Sequence, residues 1–238
     1  MVRAMQRSRN VAVALAVLGV LGLGAFMWWQ DTEAERARVA REEREEREQA
    51  ARLERQREES RSLMPEPLAD VALGMTLEEV RATGHHLEPT ARGAPEGLRL
   101  VMYEERLPNG AQMMFGFSED TGHLQQVQVM SLLPRLEAIA LHLQAMNERY
   151  GTPSGAWDCP NTQGLPTRRF TWRHAQTAIA DVFLVYNNRA SVTLYIATPD
   201  TIGRSLRMSS CVPVPRERLD QFPTATPEQI QRAVEEGG

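Results

Sequence analysis

The sequence predicts an α+β fold carried behind an N-terminal membrane segment, and three observations predict it. An uncharged apolar run fills Val11–Trp29. A Glu/Arg-rich stretch without Gly or Pro fills Asp31–Ser62. Beyond Pro65, helical and strand periodicities follow one another in the order helix, three strands, helix, three strands.

The apolar run is read first because it sets the compartment. Met1–Asn10 carries Arg3, Arg7 and Arg9 and no acid. Val11–Trp29 would span ~28 Å as a helix, close to the ~30 Å hydrocarbon core of a bilayer. It ends on Trp28 and Trp29, and tryptophan favours the lipid–water boundary. The expected partner of residues 11–29 is therefore the lipid bilayer. A cleaved signal peptide shares the basic start and apolar middle; a cut after Gly24 or Ala25 would fit, although no Ala-x-Ala site is present. No cysteine lies near the segment, so a lipid-modified N-terminus is excluded. The arginines before the run favour a cytoplasmic N-terminus by the positive-inside rule, with the rest of the chain outside a bacterial inner membrane, in the periplasm.

Residues 30–64 read as a charged helical stalk. Glu, Arg, Ala and Gln are strong helix formers. Opposite charges recur at helical spacing, as in Glu43/Arg47, Glu48/Arg52, Glu33/Arg36, Glu54/Arg57 and Glu58/Arg61, each pair worth about 0.2–0.5 kcal/mol. Val39 and Leu53 are the large apolar residues before Leu63, so no continuous coiled-coil seam exists. A loose dimer helix and charged disorder stay open as alternatives. A continuous helix would hold a domain up to ~50 Å from the membrane. Pro65 and Pro67 end the stalk, and the domain boundary is expected there.

Residues 65–211 are expected to form the α+β domain. Thr76 with Glu79 three residues on is a capping box, opening a short helix that ends near Gly84. Leu98–Arg106 and Ala111–Phe117 flank Pro108-Asn109-Gly110, a hairpin signal, and His123–Met130 alternates Val127 and Val129 against Gln126 and Gln128. A second helix is expected over Pro134–Tyr150, with Leu136, Ile139, Ala140, Leu143 and Met146 on one face and His142 off it as a surface residue. Strands are expected at Arg168–Arg173, Thr177–Tyr186 and Ala190–Thr198, with Asn187-Asn188 as a tight turn and Phe170 and Trp172 on one core face. The result is a tandem of helix plus three-stranded antiparallel meander, with helices packed on one face of a shared sheet. Residues 212–238 form a C-terminal arm with a short helix capped by Thr226 and Gln229.

Gly74-Met75-Thr76 leading into a short helix with Val80, followed by an antiparallel meander, resembles the SmpA/OmlA family of BamE-like assembly lipoproteins, and the tandem form resembles the β-lactamase-inhibitor-protein fold. The resemblance covers the soluble domain only. It implies a fold used for protein–protein contacts and carries over no catalytic residue. The helical anchor and the missing N-terminal cysteine depart from the lipoprotein pattern.

The chain has no lysine. A Walker A loop, a Ser-x-x-Lys hydrolase and a Schiff-base enzyme each need that amine and are excluded. The net charge of −4 gives no case for nucleic acid. Cys159 and Cys211 stand far apart, in no zinc spacing, and are expected to pair as a disulfide outside the cytoplasm; two inert thiols are the alternative. His85 and His86 are adjacent and would point to opposite faces of a strand, a poor geometry for one metal. No metal, cofactor or catalytic set is therefore expected. A hydrolase on Cys159, His174 and Asp181 can be drawn, but it needs a free thiolate. The functional expectation is a membrane-anchored extracytoplasmic module that binds a protein or assists envelope assembly. A thiol-dependent enzyme using Cys159 and a purely structural envelope spacer are the alternatives.

Overall fold

The computed structural model describes residues 35, 36, 38–90, 98–107, 110–161 and 163–236. Among them no helix is long and apolar enough to cross a membrane. The expected span Val11–Trp29, with Arg3, Arg7, Arg9, Trp28 and Trp29, lies outside the described residues. The chain divides into two units between Arg52 and Leu53. In the first unit the described residues are helical, and Arg38 reaches Glu35 at 2.6 Å while Arg47 reaches Glu43 at 3.4 Å, the pairing that the i,i+3 and i,i+4 spacing dictates.

The second unit is an α+β fold on one large antiparallel sheet. It opens with helical residues 53–63 (α1), followed by α2 (Leu77–Ala82), β1 (Glu88–Pro89), β2 (Leu100–Arg106), β3 (Gln112–Ser118), β4 (Leu124–Leu133) and α3 (Glu137–Tyr150). The second half adds β5 (Gly155–Pro160), β6 (Pro166–Arg173), β7 (Ala178–Tyr186), β8 (Arg189–Ala197), α4 (Pro199–Met208), β9 (Val212–Pro213) and α5 (Pro227–Glu236). The spatial order is β1-β2-β3-β4-β8-β7-β6-β5-β9. Two meanders thus meet at β4 and β8, which pair from Gln126↔Ala197 to Leu133↔Ala190.

Two expectations are corrected. The second meander has a fourth strand, because β5 pairs with β6 from Gly155↔Thr171 to Pro160↔Pro166, and Cys159 lies in that strand. Helices also cover both faces of the sheet. Val80 of α2 and Ile139 and Met146 of α3 join Phe115, Phe183 and Ile196 in the main core. Ile202 of α4 packs on Ala178, Ala180 and Ala197, which alternate with those core residues and so face the other way. Helix α4 follows the last strand directly: Thr198 caps it by accepting from the Thr201 amide, with Pro199 at the first position. The same alternation explains why Gln126 and Gln128 are buried although their face of β4 was expected to be polar and open.

The local signals read as written. Thr76 Oγ1 accepts from the Glu79 amide at 3.2 Å, and the Glu79 carboxylate accepts from the Thr76 amide at 2.7 Å. Asn187 and Asn188 both take positive φ, 46° and 59°, as a two-residue hairpin turn requires. Thr226 and Gln229 form the second reciprocal cap.

The last turns of the Glu/Arg helix belong to the compact unit, ahead of the boundary expected at Pro65. Arg57 Nη2 donates to the Gly74 carbonyl at 2.8 Å and to Glu79 at 2.9 Å. The Thr76 amide, followed by the Arg57 charge, holds the Glu79 carboxyl below its ordinary value against the opposing effect of burial. Ser60 Oγ accepts from the Leu73 amide, Glu59 accepts from the Gln176 amide, and Tyr150 donates to the Leu63 carbonyl. Gly74 makes this docking possible. Its φ is +86°, and a β-carbon there would stand 2.6 Å from Leu53 Cδ1. Gly84 has φ +97° with open space around it. Both alanine variants lose about 1–2 kcal/mol to left-handed strain, and Gly74→Ala loses more. Denaturant unfolding of both, repeated in a Leu53→Ala background, should narrow that gap; equal losses in both backgrounds would show that α1 does not press on Gly74.

Candidate functional site

An apolar concavity of the compact unit lies between α3 and the arm that follows β9. It is a groove of about 590 Å³, within the ~300–1,000 Å³ of small binding sites. Leu136, Ala140 and Leu143 of α3 form one wall, Phe170 and Val185 of the sheet form the floor, and Leu219 and Phe222 of the arm form the other wall. Polar lining is confined to Asn147, Asp220 and Thr224. Helical spacing accounts for the α3 wall. Ile139, Met146 and Tyr150 take the buried centre of the stripe, which leaves Leu136, Ala140 and Leu143 on its flank facing the groove.

The arm wall is held in place by one buried cation. Arg168 shares one face of β6 with Phe170 and Trp172 and is fully buried. Its Nε donates to Asp158 at 2.6 Å. Its Nη1 donates to the carbonyls of Arg218 and Leu219, and its Nη2 to that of Gln221. The guanidinium also sits 5.4 Å from the Phe222 ring centroid. Every nitrogen of Arg168 is therefore engaged, which is the condition for burying a charge. Phe222 in turn meets the Phe183 and Phe170 rings at 5.4 and 6.1 Å.

The arm's start is fixed covalently. Cys159 and Cys211 are joined, with 2.10 Å between sulfurs, across 52 residues of sequence. Such a loop closure is worth about 2–4 kcal/mol. Next to it, β9 pairs with β5 through Trp157↔Pro213 and Asp158↔Val212. At the far end the Ala225 amide donates to the Val185 carbonyl, and α5 packs Ile230 and Ala233 against Leu165, Leu184 and Tyr186.

The structure does not assemble Cys159, His174 and Asp181. The Cys159 sulfur is bonded to Cys211, and Asp181 meets His142 instead. His142 is a correction to the sequence reading. Its Nε2 lies 2.8 Å from Asp181 Oδ2, and its ring stands edge-on to Phe183. Asp181 is fully buried with Oδ1 unpartnered, so burial pushes its carboxyl above the ordinary value while the His142 hydrogen bond and charge oppose the shift. His85 bonds Glu105 at 2.6 Å and lies tilted against the Phe115 ring, whereas His86 bonds Glu105 only through its amide. Among the described residues no three His, Cys, Asp or Glu side chains are placed to hold a metal. No family model matches the chain, and neither the curated proteins nor the solved structures contain a match.

Sequence reasoning passed over Arg168 and gave Asp181 only a place in the hydrolase drawn with Cys159 and His174, although a signal for the burial of each exists. Both are charges at core-phase positions of apolar strands, Arg168 in step with Phe170 and Trp172, Asp181 with Ile179 and Phe183. Two outcomes follow. Arg168→Leu orphans three arm carbonyls and should cost about 3 kcal/mol or more, with limited proteolysis cutting within 214–224 before the sheet unfolds; arm protection equal to wild type would sever the clamp from the groove. For Asp181, a raised folded value means that the native state holds its proton longer than the unfolded chain. Its stabilising contribution is complete below the ordinary value of 3.8 and is lost as pH rises through the folded value. The stability of wild type relative to Asp181→Asn should therefore fall as pH rises from 3.8, measured by urea unfolding across that range; a flat difference would refute it.

Proposed function

We propose that the compact unit is a non-catalytic protein-binding module of the bacterial envelope, held by residues 11–29 in the inner membrane with the N-terminus cytoplasmic and the unit periplasmic. The groove between α3 and the arm carries this reading. Its walls are apolar, its floor is the sheet core, and it contains no paired nucleophile and base. An apolar segment of a partner polypeptide fits that lining, with Asn147 and Asp220 available to orient it.

Strand addition is the other common way for a sheet to take a peptide, and both sheet edges discourage it. The outermost strands β1 and β9 have two residues each, with Pro89 and Pro213 in them. The topology draws support from the basic N-terminal tail, the tryptophan pair and the disulfide, which persists in an oxidising compartment. The resemblance to envelope assembly folds agrees with the same role.

A photoreactive side chain at Ala140, which is exposed on the groove wall, tests the reading against one at Glu148, elsewhere on α3. In native membranes the Ala140 position should give a discrete polypeptide adduct that the Glu148 position does not. Adding Leu143→Arg should abolish it while Tm stays near wild type. An adduct of equal strength from both positions, or none from either, would overturn the module reading; the latter would favour a structural spacer.

A further inference from the structure

We propose that a second cleft, between α4 and strands β5 to β7, is a binding site for a small organic anion, a carboxylate carried on an apolar body. Strand alternation sends Thr171 and Arg173 of β6 and Ala178 of β7 toward α4. Helix α4 meets them with Ile202, Gly203, Leu206 and Arg207. The cleft so formed has a volume of about 460 Å³. Its interior is apolar where Ala178, Ile202 and Leu206 meet, and no carboxylate lines it.

Donors without an acidic partner border the cleft. Arg173 and Arg207 are unpaired with any carboxylate among the described residues, whereas Arg204 one turn away bonds Asp200 at 2.5 Å. Gly203 adds no side chain to the α4 wall of the cleft, and Arg207 Nη1 lies back along the helix, 3.5 Å from where a β-carbon of residue 203 would stand. Ser210, on the lip, holds φ +49° without being glycine, pinned beside the disulfide at Cys211. The indole N–H of Trp157 is buried beside the cleft without an acceptor.

A carboxylate accepts charge-assisted hydrogen bonds from guanidinium donors such as these. An aryl or alkyl body attached to it would rest on Ile202, Leu206 and Ala178. Ser154 and Ser210 line the same opening and supply hydroxyl donors, while the Thr171 hydroxyl donates to the Gly155 carbonyl. This site is separate from the groove beside α3 and stands without it.

The test is calorimetric titration of the full-length protein with 3-phenylpropionate and with its neutral isostere 3-phenylpropionamide. The acid should bind roughly tenfold tighter or more, a difference of about 1.4 kcal/mol. Arg173→Gln with Arg207→Gln should remove that preference, Arg204→Gln should leave it, and Gly203→Leu, which fills the cleft from the helix side, should abolish binding. The arginine variants sit at the surface, and a single cooperative thermal transition confirms the folding of every variant. Equal affinity for acid and amide, retention of the preference in the double variant, or no saturation up to about 10 mM would each overturn the proposal. Ala140→Trp, in the other groove, should leave the titration unchanged; an effect there would place the anion in that groove and overturn it as well.

Discussion

The pairing of β4 with β8 is the constraint on which the rest of the structure depends. Each meander is too small to bury a good core alone. Joined through eight consecutive residue pairs, the two become one sheet, and Val127, Ile179, Phe183 and Ile196 from both halves enter a single core. The register matters because strand side chains have a period of two. A slip of one residue would turn one half over relative to the other, sending Val127 or Ile196 outward and bringing Gln126 or Ala197 into the core. It would also swap the surfaces offered to α3 and α4.

That shared sheet creates the two concavities by the way its faces are covered. On one face α3 and the arm cover part of the surface and leave a trough over Phe170 and Val185. On the other, α4 stands on a row of alanines, Ala178, Ala180 and Ala197. Small side chains let the helix approach closely in the middle and leave the cleft beside it toward β5. The chain passes from one face to the other around the β5 edge, and the disulfide, β9 and Arg168 fix it in succession along that turn. The arm is thereby a wall of one site while its root borders the other.

The buried charges divide into two kinds. Arg168 has all its donors engaged and serves as a structural pin. Asp181 and Arg169 are left short of partners: Asp181 keeps an orphaned oxygen, and Arg169 keeps an orphaned Nε while bonding Ser205 through Nη1. Burial accordingly raises the Asp181 carboxyl and lowers the Arg169 guanidinium from their ordinary values. The first kind holds the arm; of the second, the Asp181 carboxyl is the group whose raised value links stability to pH.

The sequence by itself determined the local elements: the Thr76–Glu79 and Thr226–Gln229 caps, the Asn187-Asn188 turn, the apolar stripe of α3, most strand positions and the α+β class. These are decided within a few residues, by side chains that bond the nearest backbone or by a period of 2 or 3.6. Helix α4 carried a legible cap in Thr198-Pro199, although its neighbouring strand masked it, and β5 was hidden by Gly, Trp and Pro in six residues. What only the tertiary structure decided is how distant segments meet. Arg57 on Gly74, Arg168 on the carbonyls of the arm, His142 on Asp181 and the two clefts all join residues that no periodicity relates. Such contacts depend on sheet order and on which helix lands on which face, and those follow from burying one common core rather than from any local preference.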